Sequence, residues 1–495
     1  MNFVDYLFEH ILDLSNLCIL NREITLNYGD LISRVNDLAE YLTAIIGRGK
    51  ECLLLSDNTP FFIIAYLAII KSGNVALLVE TQISDEQLKS IYHDCDITAS
   101  FVQKKYRSKI IENNNVFTDD LLLTLPQTKM AEFRCGEDND VAVVIFTSGS
   151  TGTKKGVMLT HKNLCANTES IVQYIDLTKS DRICATLPFF YCYGASLLHT
   201  HLRVGGSILL SNNIFLGGVI RDINTFSCTG FAGVPSTYQI LVNKTPFLKE
   251  KLPTLRYMLQ AGGQLPNKYI RMIVEAFPGK IFFVMYGATE ATARMSYLPP
   301  NMVLSKIGSI GRGIPGVRLE VLNENGNPVL PGETGEIIAS GDNMMKGYYG
   351  DPVGTQRVLQ NGRLHTGDLA TIDEDGYIYI IGRAKNIIKS GGYRISPNEI
   401  EEYICSLEGV NGCVVLGLPD EIMGEAVVAV VQPGDVPEAV LKKEIHIRCK
   451  QNLPSYKVPK MVYFVREFPL NASDKVDKQA LSASIVNELG KKMEL

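Results

Sequence analysis

The stretch Val141–Gly156, VAVVIFTSGSTGTKKG, constrains this chain more than any other. A run of β-branched and apolar residues reads as a buried strand and opens directly into a loop of glycines, hydroxyls and lysines. Such a loop turns backbone N–H groups and hydroxyls toward a polyphosphate while the lysines supply charge. Val157–Thr160 is strand-like again, so the loop is anchored on both sides. The spacing G-x-x-x-x-G-K-[ST] is absent, which excludes the Walker pattern.

Composition narrows the setting. With 495 residues the chain exceeds the ~250–300 residues that one core sustains, so more than one packed body is expected. Hydrophobic residues at 46% and charged residues at 20% exclude a disordered chain. A net charge of −5 leaves no footprint for nucleic acid or an anionic membrane. The eleven cysteines are scattered and form no C-x-x-C, the pattern of reduced thiols rather than of a zinc site or disulfide framework. His199 and His201 have no ligand partners at metal spacing and read as core histidines. The N-terminus lacks a basic n-region, and the apolar run Phe61–Ile70 is half a membrane span, so it reads as a buried helix. A cytoplasmic, soluble protein is expected, with no membrane span and no nucleic-acid partner.

Along the first 210 residues, strands at Glu51–Leu55, Asn74–Val79, Ile97–Val102 and Val141–Phe146 alternate with helical patterns at Leu31–Ile46 and Phe61–Ile70. This rhythm predicts largely parallel, helix-covered sheets. After about residue 310 the texture becomes Gly- and Pro-punctuated strands, Val317–Leu322, Glu336–Ser340 and Gly376–Ile381. A smaller α/β unit follows: helix Pro397–Ser406, strands near Cys413–Gly417 and Ala426–Gln432, helix Pro437–Asn452 and strand Met461–Val465. The expected fold class is α/β: a large N-terminal body (1–384) of two helix-covered β-sheets with a small β-barrel-like subdomain, then a small mobile α/β C-terminal domain (385–495).

Further motifs stand where ligands bind. Tyr286-Gly-Ala-Thr-Glu290 follows the strand Ile281–Met285 and so emerges at a strand's carboxyl end. His365-Thr-Gly-Asp368 places an acceptor-only carboxylate, and Gly382-Arg383 follows it. Gly391-Gly392, two residues after Lys389, lets a backbone pass close to a ligand. Gly311–Gly316 spells G-x-G-x-x-G but precedes a strand, so it fails as a dinucleotide fingerprint.

Taken in order, these motifs resemble those of the adenylate-forming superfamily, which contains acyl- and aryl-CoA synthetases, peptide-synthetase adenylation domains and beetle luciferases. That family's loop usually reads T-S-G-[ST]-T-G-x-P-K-G; here Lys154 replaces the proline and Lys155 keeps the lysine. Loss of the proline frees one dihedral and is expected to loosen the loop. The resemblance implies that Thr147, Ser148, Gly149, Ser150, Thr151, Gly152 and Lys155 hold the phosphates of ATP, with Gly263, Gln264 and Gly287 also at the nucleotide. It implies that Tyr286 stacks on adenine, Thr289 meets the α-phosphate, and Asp368 and Arg383 reach the ribose. Glu290, with Thr147 on the phosphate side, is implied to hold Mg²⁺, which suits a hard oxygen donor. Lys385 falls on the family's hinge. By the same resemblance the loop of Lys389, Gly391 and Gly392 swings in after adenylation to line a pantetheine tunnel, and Lys475 and Lys389 are the catalytic lysines. Asp474 stands where the family mostly has Gly, and its carboxylate is expected partly to offset the Lys475 ammonium.

The acyl pocket implied by resemblance is walled by Tyr191, Tyr193, Gly194, Val234, Tyr238, Gly262 and Met285. The Asp that peptide-synthetase domains use to hold an α-ammonium is missing, and an unpaired ammonium is costly among apolar walls. The chain has no Trp, the residue that blocks acetate-sized pockets in the family. A medium-chain or aromatic apolar acid is expected. The implied activity is an AMP-forming ligase: acid and ATP give acyl-AMP and pyrophosphate, and a thiol then takes the acyl group. CoA is the family's common acceptor, and the phosphopantetheine of a carrier protein remains open as the alternative. The Lys154 and Asp474 departures also leave open a nucleotide-binding protein that has lost its chemistry.

Overall fold

The structure, a computed structural model, describes residues 1–110, 115–123, 136–148, 154–211, 213 and 215–493, with Leu123, Ser148 and 488–493 by backbone alone. Among these residues four sheets carry the fold. In the seven-stranded sheet, Glu51–Leu55 lies parallel between Val75–Leu78 and Ile97–Val102, and Val75–Leu78 pairs in parallel with Val141–Ser148. Val141–Ser148 then turns back antiparallel on Lys154–Thr160, with Thr147 opposite Lys155. The phosphate-loop motif therefore connects two adjacent strands, the second at the register that fixes where both lysines start.

The nine-stranded sheet has a parallel run through Ser207–Leu210, Arg182–Ala185, Gly230–Gly233, Tyr257–Gln260 and Ile281–Tyr286. It continues antiparallel through Ser296–Leu298 to the edge strand Arg312–Gly313. One core takes side chains from both sheets. The helix Pro60–Lys71 belongs to that core: Thr59 caps it, Pro60 sits in the first turn where no N–H is missed, and Phe61 to Ile70 are buried on all sides. An all-round apolar helix is here a core helix, as its length predicts.

The two histidines sit in the same core. The His199 Nε2 is 2.8 Å from the Tyr66 hydroxyl, and the His201 Nε2 is 2.8 Å from that of Tyr257. The His201 Nδ1 is 2.8 Å from the Leu197 carbonyl, which fixes the neutral tautomer with the proton on Nδ1. Burial pushes His199 down to about 3 and His201 to about 4. Among the described residues no three His, Cys, Asp or Glu side chains converge as a metal site, and the described cysteines are free thiols.

The small subdomain is a five-stranded antiparallel sheet built on Val317–Leu322, Gly335–Gly341 and Arg363–Ile372. Its last strand, Ile378–Arg383, pairs with Arg363–Ile372 so that Asp368 faces Arg383. After the single turn Ala384–Asn386 a fourth sheet begins, centred on the long hairpin Val410–Asp420 and Gly424–Pro433. Helices Pro397–Ser406 and Glu438–Asn452 cover one face, and Leu481 and Ile485 cover the other. Both of those cores use only residues from 388 onward. Among the described residues no helix is long and apolar enough to cross a membrane.

Candidate active site

Strand Ile281–Tyr286 delivers Tyr286 at its carboxyl end, and the chain doubles back at once. A Cβ on Gly287 would lie 1.9 Å from the Ala293 carbonyl oxygen, so only glycine permits this return. The Tyr286 hydroxyl donates to the Asp368 Oδ2 at 2.6 Å, and the Arg383 Nε lies 3.1 Å from Oδ1. Burial and the adjacent carboxylate push the Tyr286 hydroxyl well above its ordinary pKa, so it keeps the proton it donates. Asp368 is 5% exposed and still has lone pairs for a diol.

Beyond this pair lies a second polar group. The Thr147 hydroxyl donates to the Lys155 carbonyl at 3.4 Å. The Lys155 ammonium sits 4.6 Å above the Tyr348 ring and 3.4 Å from the Asp351 carboxylate. The Tyr348 hydroxyl in turn donates to the Glu290 Oε1 at 2.8 Å. Glu290 makes no ion pair among the described residues, so one hard-oxygen carboxylate could serve a divalent cation. Gly149, Ser150, Thr151 and Gly152 lie outside the described residues, and Ser148 is described by backbone alone.

Lys154 stands where the described chain resumes, at the start of the strand Lys154–Thr160. Its ammonium forms an ion pair with Glu80, just past the strand Val75–Leu78, and the two side chains are only 12% and 19% exposed. A half-buried tie of this kind holds the strand end that the family's proline would stiffen. Glu80→Gln is expected to raise the KM for ATP about tenfold, worth roughly 1.4 kcal/mol, with the KM for the acid unchanged. Lys154→Pro in that background should restore it, as steady-state kinetics on the three proteins will read.

The C-terminal unit inserts the last group. The Lys475 ammonium contacts the Tyr191 hydroxyl and lies 4.9 Å from that ring's centre. A Cβ on Gly262 would come 3.1 Å from both the Lys475 Cε and the Val234 Cγ1, and Gly262 has φ +92°. Glycine is required there by space and backbone together. Burial lowers the Lys475 pKa. Asp474 also departs from expectation. Its φ of +58° is the left-handed region that the family's glycine takes freely, and its carboxylate makes no ion pair with Lys475. Its carbonyl instead accepts from the Ser236 hydroxyl at 2.5 Å. Further contacts seat the unit: Glu402 accepts from the Asn267 N–H at 3.0 Å at a helix N-terminus, and Lys244 meets Glu467 at 2.6 Å.

Not every expected residue joins this cluster. Lys389, Gly391 and Gly392 are exposed, with the Lys389 N–H on Glu425 and the Gly391 N–H on the Met423 carbonyl. Lys385 is exposed in the connecting turn, and Gln264 is exposed while the Gly263 carbonyl accepts from Gln260 at 2.8 Å. The Thr289 hydroxyl, expected at the α-phosphate, points to the Cys192 sulfur at 3.4 Å. Tyr193 and Tyr238 both donate to the Leu259 carbonyl at 3.0 Å, and Tyr238 packs edge-on to Phe231 and Phe282. A Cβ on Gly194 would lie 2.0 Å from the Pro188 oxygen, so its smallness serves packing. Sequence reasoning missed Glu80, Tyr348 and Arg294. Arg294 is 1% exposed with its guanidinium carbon 4.0 Å over the Tyr193 ring, and nothing in its local sequence marks it.

The comparisons agree with this arrangement. The AMP-binding enzyme family model matches residues 13–349, and the model of the AMP-binding enzyme C-terminal domain matches 399–475. A feruloyl-CoA synthase from Amycolatopsis is 32% identical over 463 residues, 92% of each chain. A 2-succinylbenzoate–CoA ligase from Bacillus cereus is 30% identical over 464 residues, 93% of each. The fold superposes on ATP-bound MatB from Rhodopseudomonas palustris with a TM-score of 0.88 at 27% identity, covering 98% of each chain. On the same protein without ligand the TM-score is 0.79. With both models matching in order and the polar groups of both units meeting at one place, the chain belongs to the AMP-binding enzyme family and is an AMP-forming ligase that joins a carboxylic acid to a thiol.

Proposed function

We propose that the described polar cluster is the adenylation site, held here in the arrangement that makes acyl-AMP. The observation that carries this is Lys475, seated against Tyr191 beside Gly262 and Val234, while Asp368, Arg383 and Tyr286 stand ready for the nucleoside. The closer match to the ATP-bound than to the ligand-free relative supports the same state. An oxygen of the acid attacks the α-phosphorus, the bond to the bridging oxygen breaks, and pyrophosphate leaves. Lys475 stabilises the charge that builds between carboxylate and phosphate, and Lys155 does the same on the leaving side. Asp368 and Arg383 orient the ribose, and Tyr286 backs the adenine. Glu290 would hold Mg²⁺, which would supply charge neutralisation at the phosphates. Thr147 supports the loop that carries Lys155.

The second step requires the C-terminal unit to move. Lys389, Gly391 and Gly392 are exposed in the present arrangement, and the single turn at Lys385 is the short link between two independently cored bodies. The hinge is Lys385, the boundary falls at 384/385, and rotation exchanges Lys475 for the Lys389 loop. CoA is the acceptor, as the names of the relatives suggest. The acid has a medium-chain or aromatic skeleton packed on Tyr193, Val234 and Met285. Equal amounts of CoA and a phosphopantetheinylated carrier protein, offered with one acyl-AMP, test the acceptor. Acyl-CoA as the dominant product is expected, and exclusive acylation of the carrier overturns the choice of CoA.

A further inference from the structure

Arg294 is among the largest fully buried side chains, at 1% exposure, and its Nη2 has no hydrogen-bond partner. No ion pair among the described residues includes it. Its Nε reaches the Met285 sulfur at 3.4 Å, the Tyr174 hydroxyl also interacts with the guanidinium, and the guanidinium carbon lies 4.0 Å from the Tyr193 ring centre. A guanidinium does not give up its proton, and burying it without a carboxylate is expensive. A cation–π contact returns only part of that cost, and a thioether is a weak acceptor. The cation is therefore under-satisfied by the protein alone. The groups around it are those that wall the acyl pocket: Tyr193 beneath, Met285 at its Nε, and Tyr174, whose hydroxyl donates to the same sulfur at 3.0 Å.

Arg294 also shares neighbours with the catalytic lysine. Cys192 falls within electrostatic reach of both Lys475 and Arg294, and Tyr191 next to it carries the Lys475 contact. Lys475 stands where the reacting carboxylate is expected, and Arg294, with one donor unspent, lies against Tyr193 and Met285, two residues expected to wall the acid. We propose that Arg294 binds a second carboxylate at the far end of the substrate, so that the acid activated is dicarboxylic, its carbon skeleton lying on the apolar walls. This rests on the ligase reading above. It adds an anionic end to an acid that the apolar wall residues alone describe as apolar, and it strengthens the exclusion of amino acids, because an α-ammonium would face a buried cation.

The test uses the whole enzyme with Mg²⁺ and ATP and matched acids: α,ω-dicarboxylic acids of three to ten carbons against the monocarboxylic acids of equal length, and benzenedicarboxylic acids against methylbenzoic acids. At least one dicarboxylic member is expected to exceed its partner about 100-fold in kcat/KM for pyrophosphate release, since a site built for a polar group rejects the analogue that lacks it. Arg294→Met is expected to abolish that preference, mainly through KM for the diacid, with the KM for ATP unchanged. Arg294→Lys should retain part of it, and thermal unfolding without ligand reports whether each variant is folded. The same diacid should raise the unfolding temperature of the wild type and not that of Arg294→Met. Equal use of every matched pair, or equal losses for both members in folded Arg294→Met, overturns the proposal and leaves the ligase reading intact. Arg294-dependent stabilisation by a diacid without turnover of any acid overturns the ligase reading and upholds the anion site.

Discussion

Lys475→Ala is expected to lower acid-dependent formation of acyl-AMP by about 10²–10³-fold, the loss that follows removal of one preorganised charge-stabilising donor. Transfer from added acyl-AMP to CoA should change little if, as proposed, rotation of the C-terminal unit replaces Lys475 with the Lys389 loop. Geometry motivates the split: the ammonium is buried against Tyr191 and Gly262, while the Lys389 loop is exposed. Burial lowers the Lys475 pKa, so its charged form is lost at a lower pH than for an ordinary lysine. The alkaline fall in kcat/KM for adenylation therefore sets in below the ordinary lysine range, and Lys475→Arg should shift it upward while slowing the step. Loss of both half-reactions in Lys475→Ala, with the protein folded, contradicts the exchange of lysines.

Acid is expected to unfold the large body steeply between about pH 6 and pH 4, a range in which each proton taken up only by the unfolded chain costs roughly 1.4 kcal/mol per pH unit. His161, His199 and His201 are each buried and pushed down, chiefly by burial, to about 4, about 3 and about 4. In the unfolded chain each protonates at its ordinary value of 6.5. As pH falls below that value the unfolded state binds the extra protons, so stability drops, and the drop ends only when the folded histidines protonate. Three such groups give roughly 4 kcal/mol per pH unit, against a total stability of about 5–15 kcal/mol. Calorimetric unfolding temperatures across this range should fall steeply, and His201→Gln should remove about a third of the slope despite a lower starting stability. A flat profile down to pH 4 means that these histidines are hydrated.

Much of this was legible in the sequence, for reasons that differ by element. The helix Pro60–Lys71 was readable because apolar residues fill every position and Thr59-Pro60 announces its start. Glu51–Leu55, Ile97–Val102 and Val317–Leu322 were readable as strands because turn residues bound short β-rich runs. Tyr286, Asp368 and Arg383 come together because each ends or lines a strand whose register is set by neighbours. What stayed hidden depends on contacts between distant segments. The Glu80–Lys154 tie spans 74 residues, so nothing near Lys154 in the sequence names its partner. The positive φ at Asp474 turns its carboxylate away from an ion pair that mere adjacency had suggested. Arg294 follows Glu290 by four residues, yet only the reversal at Gly287 carries it onto Tyr193.

The most direct test of the two-step account is exchange of radiolabelled pyrophosphate into ATP by the whole enzyme with Mg²⁺ and acid but no thiol. The account predicts exchange that depends on the acid, needs no CoA, and is accompanied by AMP and acyl-CoA once CoA is added. Exchange that appears only with CoA present, or cleavage of ATP to ADP and phosphate, would contradict it.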